Sequence, residues 1–583
     1  MLLYRGPREH GRPRSLANLT CRTISQGIAL RPGSLGEASK IYWPSQDDLN
    51  NPVLPSMSPV RLPNMLLDLF LNFRVVILSL CLVAWYVARR NKRGDCPLPP
   101  GPKSFPIIGN LLDMPTRDEW VTFGKWSKEF ASDVVHVRIF GTHIVILNSA
   151  KAANELLDGR SAIYSDRPAM PGLTTLINME WNFGLIEYGT RWRNWRKSFH
   201  TFFNPQAAEK FHPIEIEGVH WLLRNLLATP EDLVHHMRHM AGKVILAIAY
   251  GIDVAPRGDP NVEVAEKAVG AIIAGSLRGR IFDLFPFLVH MPWWFPGAGF
   301  KKEAQSKWIP HVNTALHAPY ETVRRQMAAG TAKPSVAASM ISELNAKSSE
   351  EERFTSMAIP ATMYLGAQDT TVSVLHSFVL AMVLYPEVQR KAQAEIDSVV
   401  GKDRLPDFGD QPLLPYVTAL LEEALRWHPV VPLAIPHRLT QDDVYEGWFL
   451  PAGTLVIGNT QEILHDEANV GQHPERFIPE RYLPGGGATL RTADVAFGYG
   501  RRICPGRFMG RATDWIAIAS ILSAFDISPA RDEHGREIIP EEIYQSGLAV
   551  QPKEFPCVIK PRSKEAEELV LATAQDFAES TFS

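Results

Sequence analysis

Phe497-Gly-Tyr-Gly-Arg-Arg-Ile-Cys504-Pro-Gly506 is the stretch of this 583-residue chain on which the reading of its fold turns. It sets one cysteine among glycines and arginines and runs straight into a helix-like segment, Arg507 to Phe525. Gly500 and Gly506 let the backbone turn tightly, in conformations that a Cβ would hinder. The N-terminus of the following helix and nearby backbone N–H groups would stabilise the Cys504 sulfur as an anion. Arg502 is a residue type suited to meeting an anion through charge-assisted hydrogen bonds. A lone cysteine is usually a small buried hydrophobe, so the remainder of the chain has to carry part of the argument.

Other unusual groupings recur along it. Gly366-Ala-Gln-Asp-Thr-Thr371 interrupts a long apolar helix, roughly Ala358 to Leu384. An acid beside two threonines is costly there, because these side chains compete for backbone hydrogen bonds. Satisfied core polar groups are the bland explanation, and a reactive site is the sharper one. Glu423-Ala-Leu-Arg426 places an acid and a base at i and i+3 on one helix face, a pair worth only a few tenths of a kcal/mol when exposed. Trp192-Arg-Asn-Trp-Arg196 puts Trp192 and Arg196 on a common helix face.

The spacing of the opening stretch is Phe-x-x-Gly-x-Arg-x-Cys-x-Gly, with every specified position filled, and it resembles the heme-binding loop of the cytochrome P450 family. That resemblance implies heme b as cofactor, with Cys504 as axial ligand to the iron, Phe497 beside the heme and Arg502 on a propionate. A cysteine thiolate on heme iron favours O–O cleavage and so points to oxygen chemistry. Gly366 to Thr371 is similar to the family's oxygen-activating segment, which makes Asp369 the proton relay and Thr370 the residue that steadies dioxygen and its water. The order Gly366-Ala367 departs from the commoner Ala-Gly, which leaves the shape of the helix groove in doubt. Pro479-Glu-Arg481-Tyr482 resembles the family's Pro-Glu-Arg-Phe segment, whereas Pro474-Glu-Arg-Phe477 is a decoy, since Phe477 fits the place of a Phe two residues upstream. Glu423, Arg426 and Arg481 would then form a buried ionic triad, structural in role. The resemblance also directs Trp192 and Arg196 to the propionates, and in Pro436-His437-Arg438 it favours His437 over Arg438 for the same contact.

Composition is ordinary for a folded protein, at 45% hydrophobic and 21% charged with a net charge of −3, which excludes a strongly basic nucleic-acid binder. The five cysteines are scattered and odd in number, so no disulfide framework is expected and the body faces a reducing compartment. Residues 1–64 read as a disordered or wrongly predicted N-terminal extension, with Met57 and Met65 as alternative starts and a sequon at Asn18. Residues 65–93 read as a single transmembrane anchor. Its clean core, Val75 to Ala88, is short, but the basic flank Arg89 to Arg93 would hold that side in the cytosol. The stiff segment 97–102, Pro-Leu-Pro-Pro-Gly-Pro, resembles the hinge of microsomal family members.

From about 115 to 425 the pattern is mainly helical, broken by strand-like runs at Val135–Arg138 and Thr142–Leu147. Phe282 to Phe300 is too aromatic and Pro-rich for a regular helix. It would either dip into a membrane interface or pack in the core. Residues 563–583 read as an acidic, weakly helical tail.

The resemblance covers about residues 94–562 and is nearest to fungal microsomal members. It implies a mainly α triangular-prism fold with small β-sheets behind one N-terminal transmembrane helix, on the endoplasmic reticulum with its catalytic domain in the cytosol. The implied reaction inserts one atom of dioxygen into an apolar small molecule, with a fungal terpenoid or polyketide first among substrates. Electrons would come from NADPH through NADPH–cytochrome P450 reductase, with cytochrome b5 as a second donor. The reductase would dock near Arg501, Arg507 and Arg511. Two other readings stay open at this point, a dioxygen-independent heme-thiolate isomerase or dehydratase and a non-catalytic heme sensor.

Overall fold

The computed structural model describes residues 96–256, 258–545, 547 and 549–580. The 1–64 extension and the 65–93 anchor therefore lie outside the described residues. Segment 97–102 does not hang free. Its Pro100 carbonyl accepts the His136 N–H at 2.8 Å, and its Pro97 carbonyl accepts the Phe449 N–H at 2.7 Å. A Cβ at Gly101 would sit 2.0 Å from the His136 carbonyl oxygen, so only glycine permits this approach.

That segment lies against the first strand of a four-stranded sheet. Strands β1 (Val134–Ile139) and β2 (Thr142–Leu147) pair antiparallel, with Val137 opposite Ile144. Two later strands join from far along the chain, β3 (His437–Arg438) and β4 (Leu455–Gly458), giving the order β1-β2-β4-β3. A second sheet places β5 (Phe525–Arg531) between β6 (Glu537–Ile538) and β7 (Cys557–Pro561).

The rest is mainly helix. The longer ones are α1 (Glu119–Glu129), α2 (Thr190–Phe203), α3 (His212–Ala228), α4 (Leu233–Tyr250), α5 (Pro260–Arg278), α6 (Ile309–Ala328), α7 (Glu350–Leu384), α8 (Pro386–Val399), α9 (Pro415–Trp427), α10 (Arg507–Ala524) and α11 (Lys564–Ser580). Helix α7 is the axle, packed against α4, α9 and α10 and buried along most of its length. It begins eight residues before the expected Ala358, because Ser349 and Glu352 form a reciprocal capping box. Among the described residues α7 is the one helix long and apolar enough to cross a membrane, and its burial identifies it as the core.

The aromatic stretch 282–300 packs in the core at one end and reaches the surface further on. Phe282 is fully buried, while Phe287, Trp293 and Trp294 are each more than half exposed. Helix α11 packs on α3, with Val570 buried and Arg224 donating to the Thr573 hydroxyl at 2.6 Å.

Two buried acids meet where α3 faces α10. Thr513 Oγ1 donates to Glu215 Oε1 at 2.8 Å, and burial pushes the Glu215 carboxyl up to about 8. Burial also drives Asp514 well above the usual carboxylate range. Because the folded pKa of Glu215 is raised, its stabilising contribution is complete below the unfolded value near 4.5 and is lost as pH rises through about 8. The slope from this one group is at most about 1.4 kcal/mol per pH unit. Glu215→Gln is therefore expected to flatten the decline in unfolding midpoint between pH 5 and pH 8, with the gap over wild type widening toward pH 8. Thermal unfolding followed at pH 5, 6.5 and 8 checks this.

Candidate active site

The cysteine loop enters α10 through a short 3-10 turn at Gly500–Arg502. Gly500 has a φ of +51°, and a Cβ there would lie 2.1 Å from the Leu157 carbonyl oxygen, so its glycine is required by backbone approach. Gly506 differs from that expectation. Its φ of −86° is ordinary, and no atom lies within 4 Å of where a Cβ would be. Gly510, one turn on, is equally open. The two glycines leave a shallow cradle along the start of α10.

Cys504 donates its backbone N–H to the Phe497 carbonyl at 2.8 Å, closing the loop on itself. Burial pushes the thiol up, while the N–H groups of Gly506 and Arg507 and the charges of Arg196 and Arg507 pull it down. Arg196, on α2, donates to the Ile503 carbonyl at 2.6 Å, which holds its guanidinium beside the sulfur. Burial depresses Arg196, and Cys504 opposes that.

A cationic cluster lies next to the loop. Arg502 is buried, donates Nε to the Ser165 carbonyl at 2.7 Å and Nη2 to the Ile186 carbonyl at 2.9 Å, and stacks 4.6 Å over Trp192. Burial pushes it down to about 10. Arg167, also buried, donates to the carbonyls of Gly184, Ile435 and Pro436, and its charge acts on Arg502. His437 gives or takes a 2.7 Å bond with the Tyr164 carbonyl and is held well below its usual range by burial and by Arg167 and Arg502. Arg438 turns away to pair with Asp166 through Nε at 2.8 Å. Asp166 is the carboxylate whose charge supports both Arg167 and Arg502.

The site therefore holds more buried positive charge than Asp166 answers, and buried charge is expensive without partners. Two donors in it, Arg502 Nη1 and Trp192 Nε1, are buried without a hydrogen-bond partner. Orphaned donors, surplus cations and a cradle free of Cβ atoms are what a flat, dianionic macrocycle ligated by Cys504 would complete, so the residues present fit heme.

Helix α7 carries the polar segment. Thr370 Oγ1 donates to the Gly366 carbonyl at 2.9 Å, the habit of a threonine inside a helix. Asp369 turns instead toward Arg238 of α4, with Nε to Oδ1 at 3.9 Å. Burial pushes the Asp369 carboxyl up and Arg238 pulls it down. Arg167 and Arg238 were not singled out by the sequence. Arg167 sits in an unremarkable Ser-Asp-Arg-Pro, and Arg238 sits between histidines on a helix with no other signal.

Behind the cysteine loop, Glu423 is fully buried between two guanidiniums. Arg426 reaches it through Nε at 2.7 Å and Nη2 at 2.9 Å, and Arg481 through Nε at 3.1 Å. The exposed Arg476 of the Pro474–Phe477 segment gives only its carbonyl to this network, while Phe477 packs on Trp427.

A thiol loop on a helix N-terminus, beside a cluster of buried arginines with orphaned donors and in a mainly helical body, is the arrangement of a heme-thiolate protein. The family model for cytochrome P450 matches residues 99–557. A cytochrome P450 monooxygenase of Armillaria gallica is 40% identical over 505 residues, covering 86% of this chain and 98% of that protein. Cytochrome P450 monooxygenase ple1 of Rhodocybe pseudopiperita is 40% identical over 506 residues, covering 86% and 96%. Cytochrome P450 monooxygenase 208 of Postia placenta is 42% identical over 503 residues, covering 85% and 96%. The chain belongs to the cytochrome P450 family and is a P450 monooxygenase, with the mainly helical fold and small sheets of that family.

Proposed function

We propose that this enzyme oxidises an apolar small molecule in fungal secondary metabolism, a terpenoid or a polyketide, with electrons passed from NADPH by a separate reductase. The observation that carries the reading is the pair of orphaned buried donors, Arg502 Nη1 and Trp192 Nε1, beside the Cys504 loop. Heme bound there supplies dioxygen activation and oxygen-atom insertion, with the thiolate donating electron density. The protein's own part is distributed. Arg502, Trp192, Arg196 and His437 would hold the propionates, with Phe497 at the loop's edge and Cys504 on the metal. Asp369 would carry protons inward from solvent, with the partly exposed Arg238 keeping the carboxyl from becoming too weak an acid. Thr370, by leaving its bond to the Gly366 carbonyl, would pass them on.

The proximal face suits an acidic electron donor, NADPH–cytochrome P450 reductase with cytochrome b5 as a second. A cavity of about 520 Å³ opens there between Arg491, Arg507, Phe508 and Arg511. Arg511 is partly neutralised by Glu422 and Arg491 by Asp494, so Arg507 is the better candidate for the partner's carboxylates. Anchoring to the endoplasmic reticulum through residues 65–93, with the exposed Phe287, Trp293 and Trp294 against the bilayer, completes the proposal.

The test is turnover of a terpenoid and polyketide panel by the full chain with reductase under labelled dioxygen. One labelled oxygen per product, dependent on NADPH, is the expected result. Product formed without NADPH and without label would replace the reading with an isomerase or dehydratase.

A further inference from the structure

Helix α4 carries His235, His236 and His239 in its first two turns, and the fold uses them unequally. His239 is 2% exposed and is fixed on two sides. Its ring stacks on Trp221 of α3, with centres 4.0 Å apart and planes 14° from parallel. Its Nε2 lies 2.7 Å from the Ala255 carbonyl, and the Ala255 N–H is tied in turn to Asp259 Oδ2 at 2.9 Å. A carbonyl can only accept, so Nε2 carries the hydrogen and Nδ1 of the neutral ring is left with a lone pair. Burial lowers the His239 pKa, opposed by the Ala255 carbonyl and reinforced by the charge of His235, which favours that neutral ring. Yet Nδ1 is buried with no hydrogen-bond partner. Buried acceptors without donors cost stability and are few in native structures. No donor comes from the neighbours, since Trp221 offers a ring face and His236 turns its Nε2 to the Thr229 hydroxyl at 2.8 Å.

One turn away stands a second imidazole. His235 is exposed and lies four residues before His239, which puts the two on one face of α4. Their ring centres are 6.4 Å apart, with the planes at 57°. A transition metal takes an imidazole nitrogen at about 2.0–2.1 Å, which sets each ring centre about 3 Å from the ion. Two rings on one ion are then about 6 Å apart in line and about 5 Å apart at a tetrahedral angle. The observed separation is close to that range, and an exposed side chain closes the remainder by a swing about its staggered torsions. Two histidines at i and i+4 are the ligand spacing of helical zinc sites. The Ala255 bond is the kind of contact that orients a metal-bound histidine through its other nitrogen. Among the described residues no three ligating side chains gather, so water would fill the remaining positions.

We propose that His235 and His239 form a binding site for a divalent transition metal of the zinc or nickel class, with His239 as the preset ligand and His235 as the one that swings onto it. Two neutral imidazoles suit such ions and serve the oxygen-seeking Mg²⁺ poorly. An ion held there would stabilise the folded chain by mass action. The site lies on α3 and α4 and uses neither Cys504 nor any group bound to it, so it stands apart from the heme-thiolate reading.

The test is calorimetric titration of Zn²⁺, Ni²⁺ and Mg²⁺, each alone, into the solubilised full chain as wild type, His235→Ala and His239→Phe. Wild type is expected to hold one equivalent of Zn²⁺ and of Ni²⁺ that His235→Ala binds roughly tenfold more weakly or not at all. Mg²⁺ should not compete for it. Saturating Zn²⁺ should raise the unfolding midpoint of wild type by more than that of His235→Ala. His239→Phe keeps a ring on Trp221 and should lose the same equivalent. His235→Ala alters only an exposed side chain, so it decides the question even where the buried variant misfolds. Equal stoichiometry and affinity in wild type and His235→Ala would overturn the proposal and assign any bound ion to other histidines or thiols. Mg²⁺ binding as tightly as Zn²⁺ would overturn it as well, because an imidazole pair does not bind the two alike.

Discussion

Cys504→Ala is expected to abolish the red-shifted band of the reduced, carbon monoxide-bound protein and to lower oxidative turnover by about a thousandfold or more, the scale of removing a group that carries the chemistry. The geometry says why no neighbour can substitute. The described residues hold no group of three or more metal-ligating side chains, and the donors gathered at the loop, Arg196, Arg507 and the Gly506 and Arg507 N–H groups, are all arranged to favour negative charge. With the sulfur gone, those donors face a methyl group, and a bound heme would have to find a weaker or neutral axial ligand. Heme could still be retained, because Arg502, Trp192 and His437 are untouched by the change. The informative comparison is thus between heme content, which should fall only in part, and the thiolate band, which should vanish. A variant that kept the band would mean that Cys504 is not the ligand.

How far the sequence could be read depended on how local each feature is. The cysteine loop and α10 are contiguous, so glycines, arginine and cysteine announce themselves within ten residues. The strand pair Val134–Ile139 and Thr142–Leu147 was legible for the same reason, since alternation and a Gly at the turn lie in one short window. The acid and threonines of α7 were conspicuous because they break an apolar run. By contrast, the cationic cluster is assembled over distance. Arg502 bonds to Ser165, 337 residues away, and Arg167 bonds to Pro436, 269 residues away. No periodicity encodes such pairs, so Arg167 and the Arg238–Asp369 contact emerge only from the fold. The start of α7 was missed for a different reason, as the Ser349–Glu352 capping box lies in a charged stretch that lacks an apolar stripe. Likewise, buried Val570 and Thr573, the latter bonded to Arg224, dock the segment that read as an acidic, weakly helical tail.

Glu423→Ala should have an effect of comparable size, exerted on the fold. Removing one partner from a buried ion pair costs about 3–5 kcal/mol, because the remaining charge is left uncompensated in a medium that cannot solvate it. Here two guanidiniums lose their carboxylate at once. Arg426 would keep the carbonyls of Leu464, Pro474 and Arg476, and Arg481 those of Val470, Gln472, His473 and Arg476, so both charges stay trapped by backbone acceptors. The Ile478 N–H, which donates to Glu423 at 2.7 Å, would be orphaned as well. The disturbance has a short path to the metal site. Tyr482, next to Arg481, bonds Thr492 at 2.6 Å, the Thr492 carbonyl receives the Ala496 N–H, and the neighbouring Phe497 carbonyl holds Cys504. The expected outcome is therefore heme-free, poorly soluble protein, read as the ratio of heme to protein in membranes and as a lost thiolate band. Glu423→Gln, which restores acceptors without the charge, should recover part of the heme content. If Glu423→Ala instead carried full heme and melted within a few degrees of wild type, the triad would be dispensable, and the position of Cys504 would have to be set by α10 and the Arg196 contact alone.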